Sequence, residues 1–151
     1  MNDVRLIQAL WQLDRLSPDE GPEHATSLLV AGVDLPSLRQ LAGLSAPTFW
    51  DVEPLIKRVI KEAKLPLLTE HAARWLIVYD LAERIINGEI DPLNGTGAIA
   101  AEWQELNHPE VLSGFAYYWS DYGENPKDIP WFDERIRKEA ADLLSLQAPP
   151  V

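Results

Sequence analysis

The chain has 151 residues, a size at which one domain buries roughly 70% of the surface its unfolded form exposes, and its 46% hydrophobic content excludes a disordered chain. Thirteen lysines and arginines against 24 acids leave a formal charge of −11, which repels phosphate backbones and anionic lipid and argues against nucleic acid or a membrane as ligand. Cysteine is absent, which excludes disulfides, thiolate metal sites and cysteine nucleophiles.

Acids at Asp3 and Asp14 interrupt the first apolar run, which is therefore neither a signal peptide nor a spanning helix, and a soluble cytoplasmic protein is expected. Asn2 or Asp3 caps a helix predicted to reach about Leu16, before Ser17-Pro18. Leu6, Ala9, Leu10, Leu13 and Leu16 share one face, with Val4, Ile7 and Trp11 nearly opposite. Such a helix either wedges between two core layers or offers Val4, Ile7 and Trp11 to a second copy as a homodimer face.

Pro22 suits the first turn of a second helix and Gly32 its left-handed end; Asp34 is expected to cap a short third helix with Leu38 and Leu41 inward and Gly43 closing it. Its one arginine, Arg39, and the overall charge argue against a DNA-reading helix-turn-helix. For the fourth helix, a Thr48 cap would place Pro54 at the sixth helical position, against the Trp50 carbonyl, so a start at Asp51 is expected. Leu55, Ile56, Val59 and Ile60 form its inner face; Lys57, Arg58, Lys61 and Lys64 read as a solvated one.

Thr69 caps the most hydrophobic helix, which Asn87-Gly88 ends. Ala72, Trp75, Leu76, Val78, Tyr79, Leu81, Ala82, Ile85 and Ile86 cover well over half its circumference, so other helices should enclose it. Glu83 falls within that arc, one turn from Tyr79, and a carboxylate buried there is the kind a general acid needs. Asp80 and Arg84 read as an i,i+4 surface pair. Asn94-Gly95-Thr96-Gly97 reads as a tight loop before the sixth helix, lacking the lysine and preceding strand of a phosphate cradle.

The stretch from Ile99 to Glu134 carries eight acids against Lys127, and eight of the chain's thirteen aromatics. In the sixth helix Ile99, Trp103 and Leu106 line the inner face, leaving Glu102 and Glu105 to water. The seventh, starting near Asn107 and Pro109, turns Val111, Leu112, Phe115, Tyr118, Trp119 and Tyr122 inward. Tyr117 falls on the outer side beside Glu110, Ser113, Ser120 and Asp121, where packing does not account for it. Asp128 and Pro130 open a last helix with Phe132, Ile136, Ala140 and Leu143 inward.

The three histidines occupy separate elements with no carboxylate at metal-ligand spacing, and Ser113-Gly114 has no strand to form a nucleophile elbow, so no metal site, cofactor or catalytic signature is read. An all-α single domain of seven to eight helices is expected over residues 1–147, around the helix at about 69–87, with a tail at 148–151. Its function reads as protein binding through an acidic, aromatic surface of Glu102, Glu105, Tyr117, Asp121, Tyr122 and Glu124. The alternative is an enzyme or small-molecule binder with a pocket at Tyr79 and Glu83.

Two segments, AGVDLPSLRQLAGL from Ala31 and IINGEIDPLNGTGAIA from Ile85, resemble recurring pieces of small, acidic, helical bacterial proteins of unknown function. The resemblance implies a shared fold and carries over no catalytic residue. This chain has more glycine at the second segment's turn than those proteins do. In general style the chain also resembles the immunity proteins that bacteria encode beside secreted toxins, which implies a cognate, basic toxin as partner.

Overall fold

A computed structural model describes residues 3–122 and 124–146, and these form eight α-helices with no strand, the all-α architecture the periodicity predicts. The expected tail at 148–151 lies outside the described residues. The helices fall into two compact units, Met1–Ala73 and Arg74–Val151.

In the first unit, Asp3 caps α1 (Val4–Gln12) by accepting from the Arg5 backbone N–H at 2.8 Å. The helix stops short of Leu16. Asp14 turns left-handed at φ 54° and the Arg15 N–H donates to the Leu10 carbonyl at 2.8 Å, closing the end in a Schellman motif. The same closure, with the predicted Gly32 at φ 95°, ends α2 (Glu20–Val30), which holds Pro22 in its first turn. Asp34 does not cap α3 (Pro36–Ala42), because Arg39 takes its carboxylate at 2.9 Å. Instead Glu62 reaches the helix start from elsewhere in the unit, accepting from the Ser37 N–H at 3.1 Å and its hydroxyl at 2.7 Å.

The fourth helix, α4 (Phe49–Glu62), starts at the Thr48 cap rather than at Asp51. The Asp51 carboxylate accepts from both the Thr48 N–H, at 2.8 Å, and its hydroxyl, at 3.0 Å. These cap bonds outweigh the interior Pro54, whose missing donor falls to the Trp50 carbonyl on a residue 81% exposed, where water can replace it. Lys57, Arg58, Lys61 and Lys64 face solvent as expected.

The core of this unit is Ile7, Ala25, Leu28, Leu38, Leu41, Val52, Leu55, Ile56 and Val59. Both sides of α1 are committed: Leu6 and Ala9 are buried on one, Ile7 on the other, with Val4 and Trp11 packed against the core cluster. Ile7 therefore has no surface to offer a second copy. Gln8 and Gln12 donate to the Pro66 and Leu68 carbonyls at 2.7 and 2.9 Å, tying α1 to the connector before α5.

Helix α5 (Glu70–Ile86) begins where the Thr69 hydroxyl accepts from the Ala72 N–H at 3.0 Å and ends before Gly88 at φ 71°. Residues Trp75 to Asp80, then Ala82 and Ile85, are buried, so the helix is covered around most of its girth. Asp80 lies among them rather than on the surface, while Arg84 pairs with Glu89 at 3.8 Å.

In the second unit, Asp91 caps α6 (Pro92–Glu105) by accepting from the Asn94 N–H at 3.2 Å, and Asn94-Gly95-Thr96-Gly97 is helix, not loop. Its glycines make room. A Cβ on Gly95 would lie 2.5 Å from Ile85 Cγ1, and one on Gly97 would lie 2.7 Å from Trp119 Cζ3. Helix α6 thus packs against Ile85 of α5 and Trp119 of α7 at distances that alanine would not permit. A 3-10 turn (Glu110–Leu112) leads into α7 (Ser113–Asp121), and another (Pro126–Asp128) into α8 (Ile129–Leu144). Ile99, Leu106, Leu112 and Phe115 are buried as predicted, as are Phe132, Ile136, Ala140 and Leu143 of α8. Val111 and Trp119, predicted inward, are substantially exposed. The 3-10 turn shifts Val111 off the helical wheel, and Trp119 lies across the α6 backbone at Gly97 instead of entering the core.

Candidate functional site

The six predicted contact residues all lie in the second unit, where six cations meet fourteen acids for a net charge of −8. They do not form one surface. Glu102, expected to face water, is 1% exposed, and its carboxylate accepts from Arg74 Nη1 on α5 at 3.0 Å. The same guanidinium reaches Glu105 at 3.5 Å, and Glu105 stays exposed at the rim. The signal for this pair was Arg74, a cation directly before the most apolar run of the helix, which asks for a buried counter-charge. Glu102 is thus committed inside the protein.

The remaining residues gather near the end of α7. Tyr117 is 56% exposed, and the Asp121 carboxylate beside its hydroxyl, with Glu124 nearby, holds the phenol above its ordinary pKa. The Ser120 hydroxyl donates to Asp121 at 3.1 Å. Tyr122 turns the other way: its hydroxyl donates to Asp133 Oδ1 of α8 at 2.8 Å, and burial, then this bond and the charges of Asp133 and Asp91, push its pKa up to about 12. It is an internal tether between α7 and α8. Trp119 near this end contacts Gly97, eight residues before Glu105 along α6, or about 12 Å of helix, so Glu105 belongs to a separate patch.

One further residue extends the exposed aromatic face. Trp131 is 46% exposed, and ring contacts run from Tyr117 to Tyr118 at 5.5 Å and from Tyr118 to Trp131 at 6.3 Å, whereas Trp119, 49% exposed, lies two residues from Tyr117 and so about 200° round α7, against Gly97. Trp131 is perpendicular to the buried Phe132 ring at 5.0 Å, and the Arg135 guanidinium lies 5.1 Å from the Trp131 centroid. Trp131 and Arg135, one helical turn apart, carry that pairing in the sequence, on the side of α8 away from its inward positions. Tyr79 is buried and Glu83 is partly exposed, one turn apart on α5. Among the described residues no group of three or more His, Asp or Glu side chains is placed to hold a metal ion, and no helix is long and apolar enough to cross a membrane.

The chain matches no protein-family model, no curated protein and no solved structure.

Proposed function

We propose that the chain is a non-enzymatic protein-binding domain, and that its most concrete role is that of a bacterial immunity protein occluding a cognate, basic toxin. The observation that carries this reading is the aromatic run Tyr117, Tyr118 and Trp131, half-exposed at Tyr117 and Trp131 and bordered by Asp121 and Glu124. Large aromatics held rigid by packing on one side and open on the other supply contact area at small entropic cost, which is why such residues dominate binding hot spots. The −8 charge of their unit attracts a cationic partner over about a Debye length and speeds encounter, while Asp121 and Glu124 set register on contact. Glu105 acts as a peripheral steering charge, and Glu102 and Tyr122 support the fold beneath.

The test is binding to the product of the neighbouring gene, measured by calorimetry at two salt concentrations. Asp121→Lys with Glu124→Lys is expected to weaken binding at least tenfold and to flatten its salt dependence. An affinity unchanged by the double reversal removes the acidic surface as the mechanism.

A further inference from the structure

Alongside the acidic end of α7 lies a feature of opposite sign. An open groove of about 460 Å³ on α8 is lined by Trp131, Glu134, Arg135 and Lys138. The cations of α5 and the third cation of α8 are occupied: Arg74 by Glu102, Arg84 by Glu89, and Arg137 by the Ile85 carbonyl at 3.0 Å. Arg135 and Lys138, among the described residues, make no ion pair, although Glu134 and Lys138 have the i,i+4 order that favours one. Two unpaired cations three residues apart on one helix face repel each other, and here they flank a half-exposed indole beside an open groove.

We infer that this groove is a second contact of the same binding face, and that it takes a carboxylate side chain of the protein partner. The apolar stem packs on Trp131, and Arg135 and Lys138 receive the carboxylate. The inference rests on the proposed protein-binding role. It also accounts for how an anionic group reaches so acidic a unit: the partner as a whole is cationic and drawn in by the field, and its one acid is held locally. The ring contacts join the Tyr117 end of the face to Trp131 within about 12 Å, so one partner surface can meet both the acidic end of α7 and the groove. Paired contacts of opposite sign reject a partner docked in the reversed orientation, because each charge then meets its like.

Two measurements test this. The first uses the isolated protein and benzoate, a carboxylate on an apolar body, followed by the Trp131 indole and Arg135 side-chain NMR signals up to about 50 mM. Benzoate is expected to shift both signals, with benzamide and inorganic phosphate at least tenfold weaker, and Arg135→Gln with Lys138→Gln abolishing the response. No response to benzoate, or an equal response to benzamide or phosphate, overturns the inference. The second compares partner affinity across variants. Arg135→Glu with Lys138→Glu is expected to weaken binding about tenfold or more. If that variant binds as wild type while Asp121→Lys with Glu124→Lys does not, the groove is no contact and the acidic face stands; if neither variant changes affinity, the binding face itself is misplaced.

Discussion

Replacing Gly95 by alanine separates a glycine that turns the chain from one that lets two helices touch. At an exposed position inside a helix the change stabilises by about 1 kcal/mol, since alanine has less backbone entropy to lose. At Gly95 the new methyl would stand 2.5 and 2.7 Å from Ile85 Cγ1 and Cδ1 and 2.9 Å from Ile90 Cδ1, where carbon contacts settle at about 3.5 to 4.0 Å. The Ile85 side chain is fully buried and cannot swing clear. Overpacking of this kind costs about 1 to 3 kcal/mol, which offsets the helical gain and leaves a net loss of up to about 2 kcal/mol. For a chain of this length that lowers Tm by up to about 8 °C, read by far-ultraviolet circular dichroism. A cycle with Ile85→Ala sharpens the assay: the smaller side chain removes the two closest contacts and leaves only the tip of Ile90, so Gly95→Ala should cost much less in that background and the two changes should couple by about 1 kcal/mol or more. A Gly95→Ala protein more stable than wild type, or a strictly additive cycle, would refute the packing role.

Glu102→Ala removes the buried partner of Arg74 and leaves it the longer contact to Glu105, and is expected to cost about 2 to 4 kcal/mol in urea unfolding, whereas Glu105→Ala, at the exposed end of the same guanidinium, should cost under about 1 kcal/mol. Pro54→Ala restores a donor to the Trp50 carbonyl and removes a ring from the interior of α4, so thermal stability should rise by about 1 to 3 kcal/mol. The Tyr122 phenol has its pKa raised from 10.0 to about 12, so the stability this group contributes is complete below pH 10 and is lost as pH climbs from there to about 12. Tyr122→Phe should unfold with a shallower alkaline pH dependence across that window, and an identical profile would place the phenol in water.

Helix number and the inner faces of α4 and α8 were legible because they rest on local periodicity: Leu55, Ile56 and Val59, or Phe132, Ile136 and Ala140, repeat at the helical spacing whatever they meet. Caps supplied by neighbours in sequence were legible too, as at Asp3, Thr69 and Gly32. Within the candidate site, the exposure of Tyr117 and its place beside Asp121 were read correctly from the wheel.

What only the tertiary structure decided are the contacts between residues far apart in the chain. Glu62 serves the start of α3 from 25 residues away, and Arg74 draws Glu102 inward from 28 residues away. Nothing in the immediate neighbourhood of either acid distinguishes it from a solvated one. Asn94-Gly95-Thr96-Gly97 shows the limit most clearly: by propensity it is a turn, and it is helical because Ile85 and Trp119 occupy the space its missing side chains leave. Composition and periodicity determine an acidic, all-helical chain. Which acids remain on its surface depends on where the arginines arrive, and which glycines belong to helices depends on what packs against them, because both are settled by pairs of elements that meet only in the folded state.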